Sequence, residues 1–445
     1  MATEDTQISD PRPVLLVIAT GMRHYREYLL ASIATQYRVH LFVDAEPTWE
    51  KGYVTGWSVL VSTLDADALV AAARQLPPVD GVLCWDEARI LQTSRVAAAL
   101  GLPGGDPDMV LRCRDKHLTR QALAAAGVPQ PASVLVAGES DALAAAERIG
   151  YPVVLKPRAL AASLGVVLAR TPDDVRLHFA FARDTTVPEA PQYDVRVLVE
   201  ECVTGTEVSV DSAVHRGQVL PMFVARKQVG YPPYFEETGH LVDAADPLLS
   251  DPAILRLLDD THAALGFTDG MTHTEIMLTA DGPRIIEVNA RLGGDMIPYL
   301  GLRASGADPG LAAAAVACGR MPAVSHDRKQ VGAVRFCYVD ADDLRIDRIE
   351  AVTDGLPPEV DRVQPLVGVG AVMSPPPKGT VWGRIAYLTV FADTAAGCGA
   401  ALEVAQAALV VQTSPAAEIA AVVAAVVADE AADVVAAVVA DEAAG

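Results

Sequence analysis

The stretch that most constrains this chain is Arg284-Ile285-Ile286-Glu287-Val288-Asn289-Ala290-Arg291-Leu292-Gly293-Gly294-Asp295. It reads as a strand running into a glycine turn. Alternation puts Glu287, Asn289 and Arg291 on one face and Ile286, Val288 and Ala290 on the other. Upstream, His273-Thr274-Glu275-Ile276-Met277-Leu278 reads as a second strand. Ala280-Asp281-Gly282 suits a three-residue hairpin loop with glycine at the left-handed position. In that register Glu275 lies directly opposite Glu287. Like charges facing each other across a hairpin are destabilising, so a cation is expected between them. Oxygen ligands of this kind suit Mg²⁺. The competing reading is a solvated hairpin face.

Length and composition bound the rest. A chain of 445 residues with 51% hydrophobic side chains has material for two to four domains. Its net charge of −22 argues against a nucleic-acid partner, which would call for a basic footprint. Cys84, Cys113, Cys202, Cys318, Cys337 and Cys398 form no CxxC pair, which fits free thiols in a reducing cytoplasm. The polar, acidic start reads as a lead-in without a signal peptide, and no apolar run is long enough for a membrane span.

Strand and helix alternate from Val14 to Leu102, which predicts a doubly wound α/β domain. GxGxxG is missing after its first strand; His24 and Arg26 there could touch substrate, with surface polar residues on a first helix as the favoured reading. Lys116 opens a helix that Gly127 stops. Tyr151 to Arg158 reads as a strand carrying Lys156 inward. The small-residue loop 159–165 that follows could close backbone N–H groups over phosphate. No Walker A motif occurs. Val195 to Val203 and Glu207 to Asp211 read as strands with acids at their connection. Glutamates at that connection could hydrogen-bond an adenine edge and ribose hydroxyls through backbone and carboxylate, although the local pattern by itself favours an antiparallel hairpin with exposed acids. Tyr231 to Asp243 reads as a long lid or pocket wall holding Glu237 and His240. An Ala-rich helix is expected over 301–320. Val422 to Ala432 recurs as Val434 to Ala444, a twelve-residue repeat that would not keep one helical face.

In this order, Lys116, Lys156 with its loop, Glu200 to Val203, Glu207, and Glu275, Glu287, Asn289, Arg291 resemble the ATP-grasp superfamily as far as about residue 320. Within it the chain most resembles L-amino-acid ligases and related carboxylate–amine ligases, through Phe235-Glu236-Glu237-Thr238-Gly239-His240 and Asn289 to Asp295. The resemblance implies a multidomain α/β and α+β chain with an ATP-grasp fold. A lead-in at 1–12 would precede an N-terminal α/β domain at 13–105. The ATP-grasp domain would span 106–330, divided into lobes at 106–202 and 203–330. A small α+β cap at 331–412 and an Ala/Val-rich tail at 413–445 would follow.

The resemblance also assigns roles. Lys116 and Lys156 would contact ATP phosphates under a loop containing Ser163 and Gly165. Glu200, Glu201 and Val203 would meet adenine, and Glu207 the ribose. Glu275, Glu287 and Asn289 would hold two Mg²⁺ ions, which Mn²⁺ could replace. Arg291 would bind the substrate carboxylate and then the acyl phosphate, with Gly293 and Gly294 approaching the intermediate. Glu237 and His240 would line the amino-acid pocket, and Asp295 and Met296 would limit the size of the first substrate. The implied activity is ATP-dependent ligation of a carboxylate to an amine, releasing ADP and phosphate, by a cytoplasmic protein with small-molecule substrates. A homodimer and a place in dipeptide or antibiotic biosynthesis are family-level expectations. Rival readings are a carboxylase or nucleotide-pathway ligase of the same superfamily and a non-catalytic ATP-binding regulator.

Overall fold

The computed structural model describes residues 10–188 and 190–416, which fall into two compact units. The first runs to Ala333 and includes Phe391–Ala395. It opens with β1 (Val14–Ile18), α1 (Arg23–Ala34), β2 (Arg38–Val43), β3 (Gly56–Val59), α2 (Ala66–Ala73), β4 (Gly81–Leu83) and α3 (Ile90–Leu100). These strands form a parallel sheet in the order β3-β2-β1-β4. The continuous apolar run of β1 fits this position, since Leu15, Leu16, Val17 and Ile18 are fully buried.

Two short helices, α4 (Pro107–Arg114) and α5 (Lys116–Ala126), lead to a second layer. It contains β5 (Ser133–Val136), α6 (Glu139–Ile149), β6 (Val153–Pro157), β7 (Val167–Ala169), α7 (Pro172–Asp184) and β8 (Val197–Glu201). The sheet order is β5-β8-β6-β7, with antiparallel neighbours. Ala142, Ala145 and Ala146 of α6 and Val175, Phe179 and Ala182 of α7 share a core with its strands.

The third layer contains β9 (Thr206–His215), β10 (Gln218–Gly230), β11 (Glu236–Asp243), α8 (Pro252–Leu265), β12 (Gly270–Thr279) and β13 (Gly282–Asn289). Its strands run β13-β12-β9-β10-β11, antiparallel throughout. Asp251 caps α8, Pro252 fills its first turn, and Gly266 ends it at φ +65°. Ile254, Leu257, Leu258, Thr261 and Leu265 recur at helical spacing and bury the inner face. The large aliphatic members each contribute roughly 1.5–3 kcal/mol by leaving water.

The structure changes three local expectations. The hairpin loop has two residues, because Thr279 pairs with Gly282. A bulge then shifts the register: Ile276 pairs with Ile285, yet Glu275 pairs with Glu287. The two departures cancel, so the glutamates still oppose each other. The bulge also lets Ile285 enter the core while Ile286 joins Glu287 on the functional face. In place of one helix over 301–320 there are α9 (Ile297–Ser305) and α10 (Pro309–Ala317). Gly306, at φ +88°, ends the first, while Asp308 and Pro309 begin the second. Finally, most of the expected lid is β11, held in register along β10. Only residues 231–235 form a turn there, and Pro233 accepts a hydrogen bond from the Leu168 amide of the second layer (2.9 Å).

The second unit comprises Val334–Val390 and the chain from Ala396. Its elements are β14 (Val331–Cys337), β15 (Leu344–Ala351), β16 (Val360–Pro365), β17 (Val372–Met373), β18 (Ala386–Ala392), α11 (Ala395–Ala407) and β19 (Leu409–Pro415). Strand β15 pairs antiparallel with β17 and β19, and β16 with β18. The duplicated tail lies outside the described residues, as does most of the lead-in. Among the described residues no helix is long and apolar enough to cross a membrane.

Candidate active site

Between the second and third layers lies an open cleft. Lys116, Lys156, Ser163, Glu200, Glu201, Val203 and Glu207 line it, as do Glu237, Glu275, Glu287, Asn289, Arg291, Gly294 and Asp295. The remaining sequence-derived positions flank it. His240 touches the Glu237 and Asp295 carboxylates, Gly293 binds beneath the turn, and Gly165 packs on Pro157.

Lys116 is the first residue of α5, which Asp115 caps through the His117 and Leu118 amides. The same Asp115 carboxylate holds Arg158 at 2.7 Å, tying α5 to the start of the 159–165 loop. The Lys116 ammonium donates to the Leu160 carbonyl (2.5 Å) and to Glu287 (3.1 Å). Ala162, Ser163 and Gly165 all have positive φ, at +56°, +54° and +75°. That left-handed backbone turns a loop of small residues tightly over the cleft.

Lys156 points from β6 to Glu200 on β8, 2.5 Å away, and Arg120 reaches the same carboxylate at 2.7 Å. Burial opposes the charge on Glu200, but Arg120 and Lys156 outweigh it and hold the carboxyl down to about 2. Burial pulls Lys156 below the ordinary lysine range despite Glu200 and Glu287. The Glu200 carboxylate is thus a buried counter-ion to Arg120 and Lys156. Glu201 pairs with Arg284 at 2.8 Å and accepts from the Ala132 amide.

A lysine absent from the sequence reading stands at the centre of the cleft. Lys227, on β10, lies 2.5 Å from Glu207, 3.1 Å from Glu237 and 3.1 Å from Glu275. Burial opposes its charge, but the three carboxylates raise it well above the usual lysine value. Burial and the neighbouring Glu275 and Glu237 push Glu207 up against Lys227. Glu275 lies well below the ordinary range, because Lys227 and His273 outweigh burial. The opposed pair of glutamates thus meets protein ammonium groups, Lys116 at Glu287 and Lys227 at Glu275. The signal for Lys227 was weak: the second of two adjacent cations following the apolar run Met222 to Ala225 in a long strand.

His240 is fully buried, 3.1 Å from Glu237 and 3.5 Å from Asp295. Burial disfavours its charge, and these carboxylates raise it above the normal histidine range regardless. Together the three offer ligand atoms within 4.8 Å of one another. Arg291 follows β13 and reaches Glu87 at 2.5 Å, just past the carboxyl end of β4. Glu87 also holds Arg114 at 2.7 Å. The carboxyl end of a parallel strand is where α/β sheets place ligand-facing groups, so Glu87 was findable. Arg26 departs from the surface reading, because its guanidinium donates to the Gly293 carbonyl (3.4 Å).

The comparisons with known proteins agree with this architecture. An ATP-grasp domain family matches residues 149–299. Carnosine synthase 1 of Mus musculus is 29% identical over 277 residues, which make up 59% of this chain and 33% of that protein. Alanine–anticapsin ligase of Bacillus subtilis is 29% identical over 241 residues, half of each chain. The crystal structure of L-amino acid ligase from Bacillus licheniformis superposes with a TM-score of 0.74 at 22% identity, covering 91% of this chain and 99% of that one. The chain spans between 31% and 60% of the length of the first curated relatives it matches. Residues 149–299 thus match an ATP-grasp domain, in a fold similar to that of the L-amino acid ligase, with two lysine-bearing layers facing each other over a carboxylate-lined cleft.

Proposed function

We propose that the chain is an ATP-dependent carboxylate–amine ligase that joins an amino acid, or a similar carboxylate, to an amine through an acyl phosphate. One observation carries this reading: Lys116, Lys156, Lys227 and Arg291 converge on the same cleft as Glu275, Glu287 and Asn289. A carboxylate oxygen is a poor leaving group. Attack of the carboxylate on the γ-phosphorus of ATP makes a phosphate of it, which the amine then displaces. Phosphoryl transfer asks mainly for positioning and charge neutralisation.

The donor set fits Mg²⁺. Glu275 and Glu287 oppose each other, Asn289 lies two residues further along β13, and all three oxygen-bearing side chains belong to residues that line the cleft. When bound, Mg²⁺ neutralises charge on the phosphates and orients them. Lys116 and Lys156 add point charges from outside the sheet that carries these carboxylates, and the tight 159–165 loop shields the site from water, which would hydrolyse an acyl phosphate. Val154, Met277 and Ile286 give apolar walls suited to a nucleobase. Arg291 already binds a carboxylate, that of Glu87, with the fork that suits a substrate carboxylate and later an oxyanion. Glu237, His240 and Asp295 line the amino-acid side of this reading.

Phosphate and ADP release against a matrix of acids and amines with Mg²⁺ tests the proposal. Release that needs both an acid and an amine supports it. Release that needs bicarbonate, or that no amine stimulates, refutes it in favour of a carboxylase or a regulator.

A further inference from the structure

Beneath the glycine turn sits an ion pair that the mechanism above does not use. Asp211 on β9 and His273 on β12 are register partners, and their side chains meet at 2.5 Å. Asp211 is fully buried. Its second oxygen accepts the Gly293 amide at 2.9 Å. On the cleft side, His273 Nε2 lies 3.6 Å from Glu275. A buried carboxylate is costly to keep unless fully partnered.

We propose that Asp211 and His273 are positioning residues that fix the Gly293–Gly294 turn relative to Glu275, an inference that rests on the ligase reading for its catalytic consequence. Three features of the turn support this. The Gly293 peptide is held on both sides, its amide by Asp211 and its carbonyl by Arg26. A Cβ at position 293 would lie 2.8 Å from His273 Nδ1 and 3.1 Å from both Asp211 oxygens, so the pair and the main chain approach as closely as glycine allows. The next residues, Asp295 and Met296, are both left-handed, at φ +50° and +65°. Two consecutive non-glycine residues in that region do not sustain a turn unaided. Gly294, between these anchors, lines the cleft. The pair thus links the backbone expected to meet the acyl group to the carboxylate expected to meet the metal.

Amide hydrogen exchange tests the anchor without any assumption about activity. In Asp211→Ala the 290–297 segment should exchange on the order of tenfold faster, while the β10–β11 pair keeps its protection. Asp211→Asn keeps an acceptor for Gly293 and a hydrogen bond to neutral His273, so it should stay near the parent. Gly293→Ala, which pushes the pair away from the opposite side, should reproduce the Ala signature if Asp211→Ala does not fold. Unchanged exchange at 290–297, or an equal rise throughout the protein, overturns the proposal. Kinetics give the second readout. With an acid and amine that the parent joins, Asp211→Ala should keep its KM for ATP within about twofold and release several ADP per amide formed. A kcat loss with one ADP per amide would mean a merely structural role. A parent that joins no pair refutes the ligase reading and leaves the exchange result to decide the anchor.

Discussion

Replacing Glu200 by glutamine separates two accounts of one residue. As an adenine contact, the side chain could be exchanged with little effect on folding. As a counter-ion it cannot. Its carboxyl is held at about 2 against an ordinary value of 4.5, chiefly because Arg120 and Lys156 outweigh the cost of burial. A difference of that size is worth about 3 kcal/mol of folding free energy at neutral pH. The folded value is depressed, so this stability is fully present above about 4.5 and is lost as pH falls towards 2. Glutamine keeps the shape and one acceptor but strands Arg120 and Lys156 in a dry site, each under 10% exposed. Removing one partner of a buried pair costs about 3–5 kcal/mol. Arg120 retains the Ile286 carbonyl at 2.7 Å, which favours the lower end. Urea unfolding at pH 7.5 should show the midpoint falling by that equivalent with an unchanged slope. Adding Lys156→Met to Glu200→Gln should restore part of the loss, because it removes one stranded charge. A loss below about 1 kcal/mol together with a raised KM for ATP would refute the counter-ion account.

Other consequences follow from the same geometry. Arg291→Ala should retain ATP binding, measured by calorimetry, and form no amide; retained product would remove Arg291 from the acyl site. Lys227→Met should cost about 3–5 kcal/mol and reverse the local pH response. With Glu207, Glu237 and Glu275 left facing one another, their values rise above those of the unfolded chain, so the variant should regain stability on acidification. His262 gives the opposite slope in the parent. It donates from Nδ1 to the Leu258 carbonyl (2.6 Å), which leaves Nε2 to accept from Thr272 (2.8 Å), and burial lowers it to about 4. The unfolded chain therefore binds the extra proton between about 6.5 and 4, and stability should fall across that window by at most roughly 3 kcal/mol. His262→Leu should flatten that part of a stability–pH curve. Chelation of divalent ions should abolish ADP release, and added Mg²⁺ or Mn²⁺ should restore it.

The sequence carried the fold class well, because its signals are local. The buried strand at Val14, the capped helix from Pro252 to Leu265 and the alternation through Glu287 each follow from a few adjacent residues. The facing glutamates were legible for the same reason, although their register came from a loop and a bulge that cancel. Ile286 on the functional face was not legible, since a bulge leaves no mark in periodicity. Composition misread 231–243, where clustered aromatics with Pro, Glu and His suggested a long loop and pairing with β10 made a strand of 236–243. What eluded sequence reasoning most was partnership. Glu200 reads as an acid beside a strand end until Arg120, eighty residues earlier, is seen against it. Lys227, Asp211 and His273 gain their meaning only from residues brought alongside by the sheet.

The central claim is that the acid's own oxygen attacks ATP before the amine attacks the acid. An acid labelled with ¹⁸O in both carboxylate oxygens, joined in ordinary water and analysed by mass spectrometry of the released phosphate, tests it directly. The account predicts one ¹⁸O atom in each phosphate and one in each amide. Unlabelled phosphate accompanying labelled amide would show that water, not the carboxylate, takes the phosphoryl group, and would contradict the acyl-phosphate route.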